Sequence, residues 1–88
     1  MIRVVGANPT RGMVAFRVTV PSAMRVRLGI YDVAGRLVRG LLDEEVKGGL
    51  RDVQWDGRGR AGVAAAGLYF VCLDAPTGRR VARIVTLR

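Results

Sequence analysis

An all-β sandwich of about seven short antiparallel strands, without a disulfide, is the fold predicted for this 88-residue chain. Three observations predict it. Apolar residues recur with a period of two, valine and arginine are the joint commonest residues, and turn signals separate the apolar runs at intervals of roughly ten residues. Helix fits poorly, because β-branched valine loses χ1 freedom in a helix and the glycines interrupt any longer run. Only residues 61–66 could turn helically. The single cysteine, Cys72, cannot form an internal bridge.

The elements follow in order. Residues 2–5 form a short apolar strand, placed beside the last strand of the chain. From Met13 to Val20, Val14, Phe16, Val18 and Val20 share one face and Met13, Ala15, Arg17 and Thr19 the other, the alternation of a half-buried strand. After Pro21-Ser22-Ala23 the same alternation returns with Val26, Leu28 and Ile30 opposite Arg25, Arg27 and Gly29, predicting a first hairpin. Asp32-Val33-Ala34-Gly35-Arg36 supplies turn chemistry, since Asp can bond its own backbone and Gly can take positive φ. Residues 37–42 then resume the apolar pattern as the second arm of another hairpin. Asp43-Glu44-Glu45-Val46-Lys47-Gly48-Gly49 reads as a polar loop, with Glu44 and Glu45 solvated. Residues 50–55 are a strand that buries Val53 and Trp55. Residues 56–67 read as a long loop ending at Gly67. Leu68 to Ala75 and Arg79 to Leu87 are strands joined by the tight turn Pro76-Thr77-Gly78. The result is one immunoglobulin-like domain over residues 1–88.

Composition narrows the function. A chain of this length builds one small core. It carries 15 Lys plus Arg against 7 Asp plus Glu, a net charge of +8, and no histidine. Without histidine, the commonest general base is missing, and with a single cysteine no Cys/His zinc site can form. No enzyme, cofactor or metal is expected. All the basic residues but Lys47 are arginine, a surface that attracts polyanions. Arg17, Arg25 and Arg27 are expected to form a basic stripe, with Arg79, Arg80, Arg83 and Arg88 grouped near the C-terminus. Nucleic acid is disfavoured, because only Tyr31 and Phe70 could serve as stacking platforms among the arginines. A solvated basic face, or one that meets an anionic surface glycan, is the better match. No apolar run approaches a membrane span or a signal-peptide core. The chain is therefore either cytoplasmic, if residues 1–88 are the complete product, or part of something longer.

Five motifs occur in a fixed order: Asn8-Pro9; Ile30-Tyr31-Asp32-Val33-Ala34-Gly35-Arg36; Trp55-Asp56-Gly57-Arg58; Gly67-Leu68-Tyr69; and the basic-aliphatic end Arg83-Ile84-Val85-Thr86-Leu87-Arg88. The set resembles the type A C-terminal sorting domains of type IX secretion and the related immunoglobulin-like domain of the flagellar hook-capping protein. The resemblance covers about residues 8–88. Where that family often has an Asp this chain has Gly59, and where it often has a Ser this chain has Ala66, so a carboxylate cation site in the loop is not expected. It implies a module of secreted or cell-surface proteins, the C-terminal part of a longer exported protein, read by an outer-membrane secretion machine.

Under that resemblance Asp32, Gly35, Trp55, Asp56, Gly57, Gly67 and Tyr69 are structural. Arg83, Val85, Leu87 and Arg88 are the residues a partner reads. Asp56 is expected to accept backbone N–H bonds in its loop. Cys72 is expected on the outward face of its strand with Leu68, Phe70 and Asp74, as a partly covered and unreactive thiol. Two alternatives stand beside the sorting module. One is a structural subunit that self-assembles through edge strands into a filament, cap or surface layer. The other is a small polyanion-binding protein.

Overall fold

The computed structural model describes residues 2–5 and 10–87, so Asn8-Pro9 and Arg88 lie outside the described residues. Its strands are β1 (Ile2–Val5), β2 (Thr10–Arg11), β3 (Val14–Val20), β4 (Met24–Asp32), β5 (Leu37–Val46), β6 (Gly49–Trp55), β7 (Arg58–Gly59), β8 (Gly62–Val63), β9 (Gly67–Ala75) and β10 (Gly78–Leu87). β1-β3-β6 form a three-stranded sheet, β2-β10-β9-β4-β5 a five-stranded sheet, and β7-β8 a small hairpin. Among the described residues every pairing is antiparallel except that of β2 with β10, which is parallel and aligns Thr86 with Thr10 and Leu87 with Arg11.

The period-two residues do what their spacing dictates. Val14, Phe16, Val18, Val20, Val53 and Trp55 from one sheet meet Val26, Leu28, Ile30, Val71, Leu73 and Ile84 from the other in one buried cluster. At the edge between β5 and β6 the sandwich is closed by ion pairs that join the two sheets. Arg51 Nη2 lies 3.3 Å from Glu44 Oε1, and Arg39 Nη1 lies 3.5 Å from Asp56 Oδ1. These pairs are about half exposed and each contributes little stability. Their charges do blunt an edge that could otherwise pair with another chain.

Several sequence expectations are corrected. β3 and β4 are not a hairpin: β3 pairs with β1 and β6, β4 with β5 and β9, and residues 21–23 carry the chain from one sheet to the other. Alternation specifies which face is buried and leaves the partner strand open. For the same reason β1 lies beside β3 and not in the sheet of β10. The expected basic stripe does not form, since Arg17 and the Arg25/Arg27 pair stand on opposite sheets and Arg17 and Arg25 are neutralised by Asp52 at 3.0 Å and Asp43 at 2.8 Å. Asp43 to Val46 are not loop but the end of β5, where Asp43 and Glu45 stand opposite Arg27 and Arg25. Opposite charges facing across strands stabilise such a ladder. The loop of residues 56–67 contains the β7–β8 hairpin, and residues 61–66 are not helical.

Candidate functional site

The hairpin motif is a self-contained turn. Asp32 Oδ1 accepts the N–H groups of Ala34 at 3.0 Å and Arg36 at 2.9 Å. Its Oδ2 lies 3.1 Å from Arg36 Nε. The backbone bond from Arg36 is the chief influence that holds the Asp32 carboxyl below the ordinary aspartate range, with partial burial opposing and the Arg36 charge and Ala34 N–H assisting. A depressed carboxylate stabilises the fold above its unfolded pKa, near 3.9, and loses that contribution as pH falls through the folded value. The stability advantage of the parent over Asp32→Asn should therefore shrink as thermal melts are taken from about pH 5 down to about pH 2. An advantage that stays constant over this range would contradict the role given to the charge.

Gly35 closes the turn with φ 81°, and Gly67 opens β9 with φ 150°. A Cβ at either position would meet no atom within 4 Å, so an alanine would suffer backbone strain alone. At Gly35 this costs roughly 1–2 kcal/mol, or several degrees of melting temperature in a domain of this size. Gly35→Ala and Gly67→Ala should both melt lower, by calorimetry. Unchanged melting in both would remove the backbone requirement.

The second motif cluster is an interlocked corner. Trp55 is fully buried, and its Nε1–H donates to Arg58 O at 2.9 Å. Tyr69 packs edge-on against it with ring centroids 5.6 Å apart, and the Tyr69 hydroxyl donates to Ala65 O at 2.6 Å. Asp56 Oδ1 accepts the Arg58 N–H at 3.0 Å, the backbone role expected of it. Gly57 O accepts the Ala64 N–H at 2.8 Å, which ties the alanine run to the Trp-Asp-Gly loop. Gly59 lets the β7–β8 hairpin press on β5, since a Cβ there would stand 2.9 Å from Val38 Cγ1. Among the described residues, no three side chains of His, Cys, Asp or Glu come together as a metal site.

The third region is β10. Ile84 and Thr86 are buried while Arg83 and Leu87 are exposed and Val85 is half-buried. Three of the residues expected to meet a partner thus share the outward face of a terminal strand, and Arg88 lies outside the described residues. On the neighbouring strand Cys72 is more covered than expected, at 8% exposure. Burial pushes its thiol pKa up, opposed by Arg79, which disfavours the thiolate and leaves it a poor nucleophile. The edge-closing pairs Arg51–Glu44 and Arg39–Asp56 escaped sequence reasoning, because no local pattern links residues in different sheets.

Two packed sheets with a Trp-Tyr corner define an immunoglobulin-like β-sandwich module. A family model described as FlgD Ig-like domain matches residues 6–79, and the chain belongs to that family. Among solved structures it is similar to the crystal structure of dimeric latent PorU from Porphyromonas gingivalis, with 26% identity and a TM-score of 0.67. That likeness covers 98% of this chain but 9% of the PorU chain, and it takes in β10, most of which lies beyond the family match. No curated protein sequence matches the chain.

Proposed function

We propose that the chain is a single non-enzymatic domain of exported or cell-surface proteins, acting as a C-terminal sorting module whose last strand is read by an outer-membrane secretion machine. The observation that carries this reading is the placement of β10. It is ten residues long, pairs with β9 along its length, and turns Arg83, Val85 and Leu87 outward. A terminal strand of that kind offers a partner alternate side chains for specificity. The ordered motifs and the likeness to PorU support the sorting role over a generic sandwich.

The test is export. Residues 1–88 are fused behind a secreted reporter in a host with type IX machinery, and the parent is compared with Arg83→Ala, Leu87→Ala and Arg88→Ala. Circular dichroism checks that each variant folds. Export of the folded variants should fall well below that of the parent. Export at the parent level would defeat the reading. The FlgD Ig-like family match favours a second reading, a structural subunit assembling through its edges. Concentration-dependent light scattering of the purified chain would then take its place as the supporting result.

A further inference from the structure

The two solvent faces of the sandwich are chemically unlike. Outside the three-stranded sheet, β3 and β6 present Ala15, Arg17, Thr19, Asp52 and Gln54, with the Arg17–Asp52 pair joining the strands, and Leu50 and, just before β3, Met13 as exposed large apolar side chains. Outside the five-stranded sheet, the register aligns Leu37, Tyr31, Phe70 and Arg83 in one row across four strands. Val81 and Val85 flank that row on β10. Val81 is 56% exposed and Leu37 43%. Tyr31, Val33, Phe70, Cys72 and Val81, together with Asp32, Gly35 and Arg79, line an open trough of about 390 Å³. One end of the face is bounded by a charged row, Asp43, Arg27, Asp74 and Arg79, of alternating sign. A contiguous apolar face rimmed by charge is the mark of an interaction surface, where scattered single apolar residues are not.

The charge decides the kind of partner. Six of the 7 carboxylates are already held by the chain's own arginines, in the pairs of Asp32, Asp43, Glu44, Asp52, Asp56 and Asp74, while the net charge is +8. A second copy would bring another +8 with almost no carboxylate to spare, so like-charge repulsion opposes self-pairing. An acidic surface is attracted, and Arg83 stands within the apolar row itself. We propose that the outward face of the five-stranded sheet docks an acidic protein surface that inserts apolar side chains between Tyr31, Phe70 and Val81. This goes beyond recognition of β10, because the face also takes in Leu37 of β5, Tyr31 of β4 and Phe70 of β9.

The experiment uses the full chain and a synthetic peptide alternating glutamate with leucine and phenylalanine, followed by amide chemical shifts. Binding should perturb the outward residues of β4, β9 and β10. Phe70→Glu and, independently, Val81→Glu should each weaken it about tenfold or more with no loss of folding, as expected for central anchors. Val81 is the more exposed, so its variant keeps the test valid if Phe70→Glu is destabilised. The same peptide with lysine in place of glutamate should not bind. The proposal is overturned if the lysine peptide binds equally, if a glutamate–serine peptide binds equally, or if the shifts map to the three-stranded sheet. It also falls if the same residues shift with protein concentration alone, which would mean a second copy. The export reading fails separately, through unaffected export of the folded Arg83→Ala, Leu87→Ala and Arg88→Ala variants, whatever the peptide does.

Discussion

Trp55→Ala should abolish stable folding at ordinary temperature. The side chain is fully buried, donates its indole N–H to Arg58 O and packs edge-on against Tyr69. Truncation removes the largest buried side chain and leaves Arg58 O without its indole donor. Large-to-small changes at such sites cost about 3–5 kcal/mol, a large share of the roughly 5–15 kcal/mol that holds a small domain together. The loss would reach the corner, since the Tyr69 ring would lose its partner and the Ala65 contact its anchor. Circular dichroism and urea titration measure it, and parent fluorescence provides an independent check. Emission from the folded parent at the wavelength of water-exposed tryptophan would show that the residue is not where the structure puts it.

Ile84→Ala is the second large effect. Ile84 is fully buried on the inward side of β10 and stands opposite Tyr69 on β9. Its truncation should cost about 2–5 kcal/mol, whereas its neighbour Arg83, exposed on the other side, should tolerate alanine within about 0.5 kcal/mol. The contrast matters for function. A variant at Ile84 would lose export by unfolding, while one at Arg83 tests recognition in a folded module. Equal losses of stability at the two positions, read from denaturant midpoints, would mean that the alternation along β10 does not separate core from surface.

Much of the motif chemistry was legible in the chain before any coordinates. Asp32 and Gly35 announce their turn because a short carboxylate and a residue without Cβ satisfy the backbone locally. Asp56 likewise bonds two residues ahead, within reach of its own sequence. Cys72 was placed on the correct face but expected to be more open. Its neighbours on that face come from β4 and β10, and coverage by residues 43 positions away, as with Gly29 opposite Cys72, leaves no local trace.

By itself the sequence determined which residues turn inward, since side chains alternate strictly along a strand and a buried face must be apolar over its whole length. It also determined the turns, whose φ requirements are met within four or five residues. The tertiary structure alone decided which strands are neighbours. β3 and β4 have matching patterns and are adjacent in the chain, yet they lie in different sheets, because an apolar face is satisfied equally by a flanking strand or by the opposite layer. It also turned Asp43 to Val46 from loop into strand, through pairing of Asp43 and Glu45 with Arg27 and Arg25, 16 and 20 positions away. The outer row of Leu37, Tyr31, Phe70 and Arg83 exists only in that register: each member is an ordinary surface residue in the chain, and the pairing of four strands makes them one face.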